Sequence, residues 1–205
     1  MNKQELKLGA RILENIPDMS SDVMQGWIEN PIALKKFLAG LVPEEVYLTT
    51  LITHKVAGKK SNPLDFFKSR EGLWLSDNFK NFILAAATGD VVETNDTEIG
   101  HADLAQLAND AEIMGELPQG HVFENVDDGL NYLSTMIDTQ WRGKSGVLLN
   151  TDYRANIFYV KGVNDETFAV NVHWYSVDRE WHCSANRLVD YRRSAFSRVF
   201  SATAT

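Results

Sequence analysis

Between Gly146 and Cys183 the chain reads GVLLNTDYRANIFYVKGVNDETFAVNVHWYSVDREWHC, with apolar and polar positions alternating and turn residues at regular intervals. Period-2 runs of β-branched and aromatic residues bounded by Gly, Asn and Asp predict antiparallel hairpins. Ile157 and Tyr159 alternate with Phe158 and Val160, and Gly162 with Asn164-Asp165 turns the chain. From Thr167 to Tyr175, the alternation sets Phe168, Val170, Val172 and Trp174 on one face and Ala169, Asn171, His173 and Tyr175 on the other. If Ser176 and Arg179 close the next loop, Trp174 lies opposite Trp181 and Val172 opposite Cys183. The second face then carries Tyr175 across from Glu180 and His173 across from His182. A one-residue slip would mix the two faces, so the pattern selects this register.

Elsewhere a period near 3.6 predicts helices. Asn2 to Asn15 forms one, with Leu6, Ala10 and Leu13 on a stripe, and Pro17 stops it. Ser20 or Ser21 caps a second that turns Val23, Met24, Trp27 and Ile28 inward. Asn30-Pro31 starts a third, in which Leu34, Phe37, Leu38 and Leu41 follow helical spacing and Gly40 suits the end. These define a helical N-terminal unit over residues 1–43, followed over 44–205 by an α+β domain. In that domain Val46–Val56 and Gly72–Leu75 read as strands, and Asn78–Ala87 as a helix burying Phe79 and Ile83. Gly89–Gly100 reads as an acidic loop, Ala102–Gly115 as a helix, and the stretch from Asp127 or Asp128 to Trp141 as another. The expected fold is α+β, with a mixed middle and a C-terminal antiparallel sheet of three to five strands.

Charge changes the picture more than composition does. At 205 residues, 44% hydrophobic and 23% charged, the chain is ordinary for a globular protein. Net charge is −8, unevenly spread: residues 71–140 hold 14 acids and one base, Lys80, whereas residues 141–205 carry net +3. The acidic block argues against nucleic acid as a partner and reads either as a solvated acidic surface or as a docking face for a basic partner. No apolar run is long enough to cross a membrane, and the opening MNKQELKLGARILEN has no apolar core of a signal peptide. With Cys183 as the single cysteine, an intrachain disulfide is impossible and a cytoplasmic setting is expected.

Motifs that carry chemistry fail on inspection. Arg142-Gly143-Lys144-Ser145 contains the letters of a phosphate loop, but Asp138 stands where the first glycine belongs and a helix precedes it. His173 and His182 meet across the hairpin, yet two ligands are too few for a zinc site, so no metal or other cofactor is expected. Asp90, Glu93, Asp96 and Glu98 lack the spacing and glycine of a calcium loop. Two candidates remain: a polar site of His173, Tyr175, Glu180 and His182, and an interaction cluster of Arg187, Arg192, Arg193 and Arg198 interleaved with Tyr191 and Phe196.

Asp18 to Pro43, DMSSDVMQGWIENPIALKKFLAGLVP, resembles the N-terminal helical segment of uncharacterised bacterial and phage-type proteins. The block from His121 through TQWRGKSGVLLNTDYRANIFYV to HWYSVDREWH resembles their β-rich C-terminal part, so that the two together cover roughly half the chain. The resemblance implies a prokaryotic or phage origin and assigns no residue a role. The function expected from all this is a non-enzymatic interaction or assembly protein, contacting a protein partner or a second copy of itself through charged surfaces. The alternative is a small enzyme with its site on the His173/His182 face.

Overall fold

Nine strands and six α-helices, with three short 3-10 turns, are seen in a computed structural model that describes residues 20–39, 46–68, 70–188 and 192–203. The chain divides into two compact units, Met1–Glu45 and Val46–Thr205. In the first, α1 (Ser21–Glu29) begins where the Ser20 hydroxyl accepts the Val23 N–H, and α2 (Pro31–Ala39) opens on its proline. Val23 and Ile28, expected inward, are exposed, and Leu34 is half-buried. The expected helix over 2–15, Gly40, Leu41 and the side chains of Met24, Trp27, Phe37 and Leu38 lie outside what is described.

The second unit is built on one seven-stranded sheet. Its strands are β1 (Ile52–Val56), β3 (Leu73–Leu75), β5 (Thr97–Asp103), β6 (Asn156–Lys161), β7 (Thr167–Tyr175), β8 (Glu180–Arg187) and β9 (Arg198–Ser201). They lie side by side as β1-β5-β9-β6-β7-β8-β3, while β2 (Lys60–Ser61) and β4 (Val92–Glu93) pair separately. The hairpin register is the one the alternation selects: Val172 pairs with Cys183, His173 with His182, Trp174 with Trp181 and Tyr175 with Glu180. The sheet is mixed, however, and larger than the three to five antiparallel strands expected. β3 runs parallel to β8 and β9 parallel to β6. Both are short and far from their partners in sequence, so no turn signal announces them. Each satisfies a row of backbone groups that the hairpins alone leave open.

One face of the sheet carries the main core. Phe158, Phe168, Val170, Val172, Trp181, Cys183 and Phe200 pack there with helix α6 (Val126–Thr139), which contributes Leu130, Leu133, Met136 and Ile137. Phe79 and Ile83, at and just after α4 (Asp77–Phe82), close it; Ser76 caps that helix. Phe158 stacks on Phe200 at 4.3 Å, and Trp174 meets Trp181 at 5.5 Å. Burial raises the Cys183 thiol far above its ordinary range and suits a small packing residue. Gly143 passes so close beneath Trp174 that a Cβ would sit 2.1 Å from the indole, at a φ of +69°.

A second core lies on the opposite face but covers only part of it. Ile157, Tyr159, Ala169 and Val199 meet Leu104, Ala108, Ile113 and Leu117 there. The last two of these flank or lie in α5 (Asp110–Glu116), so the helix expected from Ala102 starts at Asp110 instead. Asn109 and Glu112 form a reciprocal capping box that sets this start. β5 (Thr97–Asp103) takes the end of the expected loop, to Gly100, and the expected helix start at Ala102 and Asp103. The remaining short helix is α3 (Pro63–Phe66).

β5 also places a titratable pair in the interior. His101 is 3% exposed and stacks on His54 with ring centroids 4.8 Å apart and planes 4° from parallel. Neither His101 Nδ1 nor His54 Nε2 has a hydrogen-bond partner among the described residues. Burial, with Arg198 and His54 nearby, lowers the His101 pKa to about 4 despite Asp103. The folded state therefore holds His101 neutral, and the unfolded chain takes up the proton first. This contribution is complete above the ordinary value of 6.5 and is lost as pH falls from there towards 4, by about 3 kcal/mol in all. His101→Leu should flatten the acid dependence in that window when denaturant titrations near pH 7 and about pH 4.5 are compared with wild type. Equal acid losses in both proteins would count against the assignment.

Candidate functional site

The alternation in β7 and β8 sends Asn171, His173 and Tyr175 to the same side as Glu180, His182, Ser184 and Asn186, and the register interleaves them. This is the sheet face that the second core covers only over β5, β9, β6 and the start of β7. Trp74 joins it from the parallel edge strand, beside His182. Half of the face is therefore open and polar.

The boundary between the covered and open halves is a buried charge network. Arg193 Nε and Nη2 donate to the two carboxylate oxygens of Asp110, each at 2.9 Å, and Nη1 donates to Asn171 Oδ1 at 2.9 Å. The Tyr159 hydroxyl donates to Asp110 Oδ1 at 3.0 Å. All four side chains are buried, and burial, followed by the Asp110 charge, holds the Tyr159 phenol protonated well above its usual range. A fork-to-carboxylate pair satisfied this fully can remain charged in a dry setting.

Beyond the network lies a cleft of about 550 Å³. Asn171, His173, Ser184 and Asn186 form its floor, and residues 152–155, 192–195 and Ser197 supply its walls. Burial is the main cause that lowers the His173 pKa, with His182 and Arg193 adding to it, so its imidazole is neutral near pH 7. Tyr153 on one wall and Phe196, which lies between lining residues of the other without lining the cleft itself, have φ of 70° and 67°, a backbone region that bulky residues adopt only when surrounding structure imposes it. Arg154 lies 4.6 Å over the Phe196 ring, and the Tyr153 hydroxyl meets Ser176 Oγ.

The candidate polar residues do come together, though only His173 lines the cleft. His182 is held between Tyr175, stacked at 4.2 Å, and Trp74 at 4.8 Å, and its Nε2 is 2.9 Å from Glu180 Oε1. His173 meets Tyr175 edge-on at 6.3 Å. The residues placed to hold a metal include one that the sequence reading did not count: Asp178, from the hairpin loop, joins Glu180 and His182.

The four arginines do not form one surface. Arg193 and Arg198 point inward, the latter donating to Asp103 at 3.0 Å and to the Val147 and Leu148 carbonyls at 2.8 Å. Arg192 pairs with Glu112 at 3.4 Å and Arg187 with Glu166 at 3.5 Å. Three of the four thus meet acids of the 71–140 block within the same chain. Tyr191 lies outside the described residues.

Trp74 lies in a run read only as a strand, with no polar neighbour to show which face it takes; in the structure Leu73 and Leu75 on either side are buried and Trp74 is exposed. Tyr153 and Arg154 sit in irregular chain and carry no periodic signal. No protein-family model, curated protein or solved structure matches the chain. Among the described residues no helix is long and apolar enough to cross a membrane.

Proposed function

We propose that this is a non-enzymatic interaction protein that docks a protein partner over the open half of the sheet. The observation that carries the reading is a connected arc of exposed aromatic rings around that surface. Trp74 is 46% exposed, Tyr175 43%, Tyr153 63% and Phe196 56%. Contacts link them in sequence: Trp74 to His182 to Tyr175, then Ser176 to Tyr153, then Arg154 to Phe196. Trp, Tyr and Arg are the residues that supply most binding energy where proteins meet. Strain at Tyr153 and Phe196 is consistent with rings held out for contact at a backbone cost. Because the arginines find acids within the chain, aromatic surface contributes affinity in this reading, and the exposed Arg154, Arg187 and Arg192 set orientation.

A second reading, a small enzyme working through His173, is favoured by one observation, a neutral imidazole in a polar cleft, which is the form a general base requires.

The test is site-resolved photo-crosslinking. A photoreactive residue at position 153 or 196 should give the same discrete adduct in cells of the source, while one at Val91, 63% exposed and away from the arc, should not. An adduct of twice the chain mass identifies a second copy as the partner. Equal labelling at all three positions, or none at 153 and 196, sinks the docking surface.

A further inference from the structure

We propose that the hairpin joining β7 to β8 carries a binding site for a divalent transition-metal ion, zinc in the first instance, formed by His182 Nε2 and the carboxylates of Glu180 and Asp178. One ligand atom from each of these residues lies within 4.8 Å of the other two. Donors around a tetrahedral zinc at roughly 2.0–2.1 Å stand about 3.3 Å apart. The gap to be closed is therefore at most about 1.5 Å between any two donors.

The imidazole is prearranged independently of the acids. Tyr175 at 4.2 Å and Trp74 at 4.8 Å grip the His182 ring between them, which sets its plane and directs Nε2 to Glu180 at 2.9 Å. Holding a ligating ring in place before the ion arrives is the usual task of outer partners in metal sites. The Glu180–His182 contact accounts for two of the three groups without a metal, but not for the third. Asp178 makes no hydrogen bond or ion pair among the described residues, yet the four-residue loop folds its carboxylate back onto the pair. Two carboxylates at this separation repel unless a cation or proton lies between them.

The donor set of one imidazole nitrogen and two carboxylate oxygens fits zinc or copper better than magnesium or calcium, which take oxygen alone. With three protein ligands, a tetrahedral ion would keep one position for water. This inference does not depend on the docking reading, since the ion needs only the hairpin and Trp74.

Zinc titrated calorimetrically into metal-free full-length protein should bind one ion per chain. His182→Ala and Asp178→Asn should each weaken it by about 10–100-fold or more. Asp90→Asn, in the separate acidic loop, should leave the affinity unchanged. Cobalt in place of zinc should give visible absorption bands that His182→Ala removes. Asp178 is exposed, so its variant tests the site even if His182→Ala perturbs folding. Wild-type affinity weaker than the millimolar range, affinity equal in wild type and Asp178→Asn, or loss on Asp90→Asn would each overturn the proposal.

Discussion

Arg193→Met should destabilise the protein by about 3–5 kcal/mol, the loss expected when one member of a buried ion pair is removed. The guanidinium is 7% exposed and Asp110 1%. Removing it takes two charge-assisted hydrogen bonds from the buried Asp110 carboxylate, to which the Tyr159 hydroxyl still donates, and leaves Asn171 Oδ1 without its 2.9 Å donor. The cost comes from the orphaned charge more than from lost attraction, and a second substitution can separate the two. Asp110→Leu in the Arg193→Met background should recover part of the loss, so the double variant is more stable than additivity predicts. Denaturant titration of both singles and the double provides the measurement. A single-variant loss below about 1 kcal/mol would show that water reaches the pair and that the network does not hold the cleft wall.

Trp181→Ala should cost a similar amount, about 3–5 kcal/mol, through a different mechanism. The indole is fully buried beside Trp174, and its N–H donates to the Gln140 carbonyl at 3.2 Å. Gln140 in turn uses its side-chain amide to bind both backbone groups of Leu149, at 2.8 Å and 2.9 Å. One tryptophan therefore ties the sheet to the connection between α6 and β6. Trp181→Phe retains most of the ring and loses the donor, and should cost about 1–3 kcal/mol, the price of an unsatisfied buried acceptor. Chemical denaturation that ranked the two variants equally would mean the hydrogen bond contributes nothing.

The residues that made the hairpin readable are the ones that made the rest hard to read. In β8 and the last residues of β7, from Val172 to Tyr175, side chains alternate between buried and less buried positions, so the alternation survives in the letters and sets the register without reference to anything distant. Ile99 to Ala102 in β5 are buried without a break. A strand covered on both faces loses its period, so TEIGHAD reads as loop up to Gly100 and as helix from Ala102. The capping box at Asn109 and Glu112 was a local signal for a later helix start, but the run of Leu and Ala before it matched helical spacing more strongly. At the site, His173, Tyr175, Glu180 and His182 were found because they share one strand face. Arg193 was visible as a charge and not as a buried one, because its partners Asp110 and Asn171 lie far away in sequence. Asp178 was hidden in a turn, where spacing says little about direction.

The place of β9 bears on how the chain reaches this structure. Its four residues lie between β5 and β6, so they alone join the β1-β5 pair to the β6-β7-β8 meander. Asp103 and Arg198, which face each other across that seam, are 95 positions apart. The meander can zip locally as it is made, whereas β5, buried from Ile99 to Ala102 in the finished sheet, can only wait beside β1 with an unpaired edge until β9 follows. Closing so long a loop late is slow, and an edge exposed in the interval invites pairing with another chain. The step that completes the sheet is thus also the interval of greatest aggregation risk, and it depends on Arg198, Val199, Phe200 and Ser201.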